Sequence, residues 1–214
     1  MQDKLNATAY SLLGLFNKQP WSAYDLAAFM ESSVIRYILP RTRSQVFNEP
    51  KKLAKLGLLS ATQERNGKRN RTVYAITDAG REAFAAWLAQ PGEPQKTEYK
   101  SLLKLYLSDP QDSNALIHRI QEMRQQTHDE INNALQLVDR IVEHGPLLKD
   151  TALVASSTSL LAAEEFKVRL NWLDQFENSL AQLEKETDRK SQAEKNYRVS
   201  QQRLRKLQKL VANS

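Results

Sequence analysis

The stretch Arg41–Ile76, RTRSQVFNEPKKLAKLGLLSATQERNGKRNRTVYAI, decides the fold. Its first part, Arg41 to Leu56, sets Val46, Phe47, Leu53 and Leu56 at helical spacing on one side, while Arg41, Ser44, Gln45, Asn48, Lys51, Lys52 and Lys55 crowd the other. That spacing predicts a helix with an apolar back and a basic, amide-rich front. Gly57 follows where a helix ends best on a residue of positive φ. LLSATQE then reads as a strand, and the β-branched and aromatic run Thr72 to Ile76 as its return. Between them Asn66-Gly67 is the strongest hairpin signal in the chain, because both residues tolerate the positive φ of a tight turn. The tip, Arg65 to Arg71, carries four cations in seven residues.

Working outward, Thr8 to Phe16 is apolar at Ala9, Leu12, Leu13, Leu15 and Phe16, a buried first helix that Asn6 or Thr8 can cap. Pro20 ends it, and Ser22 caps a second helix with Tyr24, Leu26, Ala27, Phe29 and Met30, fading at Ser32 and Ser33. Downstream, Thr77-Asp78 caps a helix whose buried face is read as Ala79, Ala83, Phe84, Trp87 and Leu88. The order is three helices, a two-stranded basic-tipped hairpin and one helix.

Pro91-Gly92-Glu93-Pro94 is the clearest linker. Beyond it the pattern is helical: Tyr99 to Leu107, then Ser113 to His144 with Leu116, Ile120, Met123, Ile131, Leu135, Val138 and Val142 near a seven-residue rhythm. Gly145-Pro146 stops that run, and Lys149 to Glu186 resumes it. These helices carry more apolar stripe than a lone helical hairpin hides, so Leu160, Leu170, Trp172, Leu173, Phe176, Leu180 and Leu183 are expected to bury against a second copy. The expected division is residues 1–90 as a winged helix domain, 91–97 as linker, 98–186 as a helical dimerisation domain, and 187–214 as a basic tail, weakly helical or disordered.

Charge follows that division. Residues 1–90 hold 13 Lys/Arg against 7 Asp/Glu, residues 91–186 hold 10 against 16, and residues 187–214 hold 8 against 2. A basic head on an acidic body suits a head that binds a polyanion and a body that holds protein. Cysteine is absent, which excludes disulfides and thiolate metal sites, and His118, His128 and His144 stand apart in a polar helical stretch. No metal site and no cofactor are expected. No run approaches the roughly 20 apolar residues of a membrane span, and the N-terminus lacks a cleavable leader pattern, so the chain is expected in the cytoplasm and off the membrane. Catalytic signatures are missing as well: there is no glycine-rich phosphate loop, no Gly-Xaa-Ser-Xaa-Gly and no His-Glu-Xaa-Xaa-His.

Three helices followed by a cationic hairpin make a winged helix, a mainly α fold whose third helix enters the major groove of duplex DNA. Arg41, Arg43, Lys51, Lys52 and Lys55 are the residue types that neutralise phosphates; Ser44, Gln45 and Asn48 are short polar side chains that can read base edges. Lys68, Arg69 and Arg71 on the wing suit phosphates or a narrow minor groove. The other reading left open is a helical adaptor whose winged helix binds protein, with the tail on RNA or an anionic membrane surface.

In these residues the chain resembles the PadR-like transcriptional regulators. The resemblance covers residues 5–90. It rests on ATAYSLLGLF, on Tyr24 and Leu26 of WSAYDLAAFM, on Leu53, Leu56, Gly57, Leu58 and Leu59 closing the third helix, and on Tyr74 to Arg81 after the wing. More loosely, Glu98 to Leu107 and Arg169 to Leu173 are similar to the dimerisation domain of virulence-activator members. The resemblance implies a non-enzymatic, homodimeric regulator of transcription that binds operator DNA, with repression the expected outcome and release by a small hydrophobic or phenolic effector. One of Trp21, Trp87 and Trp172 would then line the effector pocket; on packing grounds alone all three are core or interface anchors. Two features depart from the family pattern. Pro50 stands two places later than usual, where it removes a hydrogen bond to Val46 and should kink the helix. The basic tail is also longer than expected.

Overall fold

The computed structural model describes residues 5–66, 69–92, 94, 98–181 and 186–212. The first helix, α1 (Ala7–Lys18), starts at Asn6, whose carboxamide oxygen accepts from Ala9 N at 2.9 Å; Thr8 is not the cap but is buried. A two-residue strand, β1 (Trp21–Ser22), leads into α2 (Ala23–Glu31), and Ser22 also caps that helix by accepting from Asp25 N at 3.1 Å. Trp21 is fixed from inside by a bond from its indole N–H to Leu15 O at 3.1 Å. A short α3 (Ile35–Ile38) precedes α4 (Arg43–Lys55). The hairpin β2 (Leu59–Asn66) and β3 (Arg69–Ile76) follows, then α5 (Asp78–Leu88).

Two elements correct the reading from sequence. The sheet has three strands in the order β1-β3-β2, because Trp21 and Ser22 pair with Tyr74 and Val73. That pairing joins residues about fifty positions apart, and no local pattern announces it. The other addition is α3, a single turn on the loop between the second helix and the recognition segment. The helix read as Arg41 to Leu56 begins only after Thr42, so Arg41 lies outside it.

Leu12, Leu13, Phe16, Leu26 and Leu53 are fully or almost fully buried in one core, joined by Trp21, Val46, Leu59 and Tyr74. Phe16 meets the Tyr74 ring edge-on at 6.3 Å, and Tyr10 stacks on Trp87 at 5.0 Å. The face of α5 that packs inward therefore centres on Gly80, Phe84 and Trp87, whereas Ala79 and Leu88 are exposed.

Beyond the winged helix lie α6 (Lys100–Tyr106), α7 (Ser113–His144), a 3-10 turn (Lys149–Thr151), α8 (Ala152–Ala181) and α9 (Glu186–Ala212). Gly145, at φ +79°, ends α7 with Pro146 behind it. The chain forms two compact units, one of Met1–Thr97 with Ile131–Glu164 and the other of Glu98–Glu130 with Glu165–Ser214. In the first, Lys18 pairs with Asp150 at 2.6 Å, and hydrogen bonding to that ammonium holds the Asp150 carboxyl below its ordinary pKa. In the second, Leu105, Leu116, Ile120, Met123 and Leu173 form a separate core, and Arg124 of α7 clamps Asp174 and Glu177 of α8. Among the described residues no helix is long and apolar enough to cross a membrane.

The junction between α4, the wing and α5 turns on one side chain. Thr77 Oγ1 donates to Gly57 O at 2.7 Å and accepts from Gly80 N at 3.1 Å, while its backbone N–H donates to Leu58 O. Gly80 is there because nothing larger fits: a Cβ would stand 2.2 Å from Leu58 O. Gly80→Ala should cost about 1–3 kcal/mol, the usual penalty of overpacking. Gly92→Ala, whose Cβ would meet nothing within 4 Å, should leave stability unchanged. Chemical denaturation of both variants checks this, and equal midpoints would show that the junction opens at no cost.

Candidate nucleic-acid interface

Thr42 sets the start of α4. Its hydroxyl accepts from Gln45 N, and Gln45 Oε1 accepts in return from Thr42 N at 2.9 Å, a capping box that fixes the helix's first turn. Gln45 was read as a base-reading residue; its carbonyl oxygen is committed to this cap, where it accepts from both the backbone N–H and the hydroxyl of Thr42. At 100° per residue, Val46, Pro50 and Leu53 share the side that is buried. Pro50 removes one intrahelical bond from Val46 O, yet the helix runs through it to Lys55, with the ring itself buried on the back.

The opposite side is open. Ser44, Asn48, Lys51 and Lys55 fall within an arc of about 60° and are all exposed, Asn48 approaching Ser44 Oγ at 3.5 Å. Neither Lys51 nor Lys55 has an ion-pair partner among the described residues. Lys52, beside them, is held at 3.2 Å by Glu49. A groove bounded by Ser44, Gln45, Asn48 and Lys52 on α4 is closed on its far side by Asn6 and Thr8. The two residues at the start of α1 were not read from sequence as part of the site; their adjacency to α4 is purely tertiary.

Two arginines before the front make contacts within the chain. Arg41 donates from Nε to Thr8 Oγ1 at 2.7 Å and from Nη1 to Pro40 O at 2.8 Å, so it ties the entry of α4 to α1. Arg43 lies over the rings of Tyr24 and Phe47, at 5.3 and 5.8 Å, and is 3.8 Å from Glu31. Arg36 on α3 lines one cleft with both of them. It was missed because α3 gives no periodic signal.

On the wing, β2 and β3 pair in register from Leu59↔Ile76 to Asn66↔Arg69. Arg71 forks between Asp25 at 3.2 Å and Glu64 at 3.1 Å, which anchors the hairpin to α2 and neutralises the cation. Arg65 is exposed. Lys68 and Gly67 lie outside the described residues, and Arg69 is placed by its backbone alone.

The residues read as a self-association stripe divide into two sets. Leu173 is fully buried within one chain, with Leu170, Phe176 and Leu180 packed around the same core. Leu160 is 72% exposed and Trp172 39%, Trp172 stacking on Phe176 at 5.6 Å. Leu183 lies outside the described residues. Periodicity found the stripe without saying which part the chain covers itself. Leu153, Leu161 and Val168 are also exposed on α8.

Known proteins share this arrangement. The profile of the Transcriptional regulator PadR-like family matches residues 12–86. No curated protein matches the chain. Bacillus subtilis PadR in complex with operator DNA superposes with a TM-score of 0.68 at 18% identity, over 82% of this chain and 99% of that one. The Vibrio cholerae virulence activator AphA does so with 0.59 at 21%, over 82% and 97%. Bacillus subtilis PadR in complex with p-coumaric acid gives 0.63 at 18%, over 82% and 99%. Residues 12–86, from the middle of α1 to the last turns of α5, are a PadR-like family domain, and the chain shares the fold of these solved structures.

Proposed function

We propose that the protein binds operator DNA as a homodimer, places α4 of each copy in the major groove, and represses transcription until a small hydrophobic or phenolic ligand releases it. The reading is carried by the front of α4: Ser44, Asn48, Lys51 and Lys55 stand exposed on one arc, backed by a face that is fully committed to the core. Asn48 is the residue suited to a bidentate contact with adenine, and Lys51 and Lys55 suit the flanking phosphates. Residues 1–90 act as the head, and the helices from residue 98 onward hold the dimer. Leu160 and Trp172, with Leu153, Leu161 and Val168 on the same helix, supply apolar surface for a second copy. That PadR is known with p-coumaric acid supports an aromatic effector here. The protein works in the cytoplasm and has no catalytic role.

The arginine contacts lower the number of cations available. With Arg41 and Arg71 engaged inside the protein, each dimer should neutralise roughly four to six phosphates, so affinity should fall by about two to three decades between 50 and 200 mM salt. A flat salt dependence would favour the adaptor reading instead. Asn48→Ala should cost on the order of 1–3 kcal/mol on the preferred site and little on a scrambled duplex, whereas Lys51→Ala should weaken both alike. Arg41→Ala should act differently, lowering the melting temperature by a few degrees through the lost bond to Thr8, which a thermal melt without DNA reads directly.

Sedimentation equilibrium checks the dimer. The full chain should run at twice its 24.5 kDa mass at micromolar concentration. Leu160→Glu should weaken association by on the order of ten- to a hundredfold, since it removes one large apolar side chain from the contact. A full chain that stays monomeric at micromolar concentration ends the dimer reading.

A further inference from the structure

Arg36, Arg41 and Arg43 line one cleft of about 250 Å³ between the end of α2, the turn α3 and the start of α4. Its apolar lining is centred on Met30, Leu39 and Val46, and Met30 and Val46 belong to the buried core of the head. Glu31 is the one acid that lines it. Three guanidiniums against one carboxylate leave the cleft with an excess of positive charge.

Most of the donors on those arginines are unused. A guanidinium carries five N–H groups. Arg41 gives one to Thr8 and one to Pro40 O, and Arg36 gives one to Glu31 O at 3.4 Å. Arg43 makes no hydrogen bond among the described residues; it lies over the rings of Tyr24 and Phe47, 3.8 Å from Glu31. Two of the three are therefore held in place, Arg41 by its bonds and Arg43 by the rings, so an anion that meets them costs little side-chain freedom. Tying the entry of α4 to α1 accounts for Arg41. It does not account for Arg36, which a single helical turn brings to the same cleft.

The cleft is not part of the front of α4. At 100° per residue, Arg43 stands about 110° and Val46 about 170° from the middle of the arc that holds Ser44, Asn48, Lys51 and Lys55. A run of phosphates would use the cations and leave Met30, Leu39 and Val46 wet, as would a bare inorganic anion. The volume is below the roughly 300–1,000 Å³ of sites for drug-sized ligands, so the occupant is small. A planar carboxylate matches the fork of a guanidinium, and the side chains available to its body are aliphatic, with no aromatic ring in the lining.

We infer that this cleft binds a short aliphatic carboxylate, its head on Arg36, Arg41 and Arg43 and its chain on Met30, Leu39 and Val46. The site lies wholly within the head. It needs neither DNA nor a second copy, and it does not rest on the operator-binding reading.

Titration calorimetry of the full chain without DNA tests this with three probes: hexanoate, acetate as the head without the chain, and hexanol as the chain without the head. Hexanoate should bind at least about tenfold more tightly than either of the others, a factor that about two buried methylenes supply. Arg36→Gln should weaken hexanoate about tenfold, as expected for the loss of one charge-assisted contact. Glu31→Gln removes the carboxylate that competes for Arg43 and should tighten hexanoate by roughly threefold. Both side chains are exposed, so neither change touches the core. Lys195→Gln, an exposed cation on α9, where the expected tail is one continuous helix, should change nothing. Hexanoate that binds no better than acetate, an Arg36→Gln variant that binds it as well as the unaltered chain, or a Glu31→Gln variant that binds it no more tightly would each overturn the inference. Operator binding enters none of these measurements, so its failure leaves them readable.

Discussion

The head of the molecule is organised around one buried helix. α1 turns Thr8, Ala9, Leu12, Leu13, Leu15 and Phe16 inward, and α4, α5 and β3 all pack on it. Each of those neighbours gains its orientation from that contact. α4 must bury Val46, Pro50 and Leu53 against the core, so Ser44, Asn48, Lys51 and Lys55 have no choice but to face away. Burying a large aliphatic side chain is worth about 1.5–3 kcal/mol, which is more than a capping box or an exposed ion pair supplies. The apolar back therefore determines the polar front. α1 also fixes the entry of α4 through a polar contact, since Thr8 accepts from Arg41.

Much of this is legible in the sequence, and what is not shares a cause. The amphipathic pattern of α4, the β-branched return strand, the Thr77 cap and the stop at Gly145-Pro146 are local signals, and local signals can be read from neighbours in the chain. The strand at Trp21–Ser22 cannot be read that way, because two residues have no periodicity and their partners stand at Tyr74 and Val73. The roles of Arg41 and Arg71 were hidden for the same reason. In sequence each is a cation near a DNA-binding surface; in space one is a strut to α1 and the other a clamp between Asp25 and Glu64. On α8 the stripe was visible, but Leu173 facing the chain's own core and Leu160 facing water look alike until α7 is placed.

The charges that remain are arranged economically. Lys52 and Lys55 occupy the last turn of α4, where cations also interact favourably with the negative end of the helix dipole. Lys55 therefore steadies the free helix from the position in which the proposed phosphate contact would be made. Arg43 is steadied differently, by two aromatic rings that restrict its guanidinium and lower the entropy lost when it meets an anion. Glu31, 3.8 Å away, is near enough to orient that group and too far to neutralise it fully.

On the proposed reading, a head built in this way would bind DNA weakly alone. One α4 offers a few base-reading side chains and a few phosphate contacts, each worth on the order of 1–3 kcal/mol, against the translational and rotational freedom that any association loses. Two heads held together lose that freedom once, and the second engages at the effective concentration the first creates. In the proposed dimer the long helices would thus bear on affinity without touching DNA. Their own cores are small: one cluster in the second unit is centred on Leu105, Leu116, Ile120, Met123 and Leu173, while much apolar surface on α8 and α9 stays exposed. Exposed apolar side chains beside small cores leave hydrophobic free energy for association, and in the proposed dimer the spacing of the two heads would be a property of the pair.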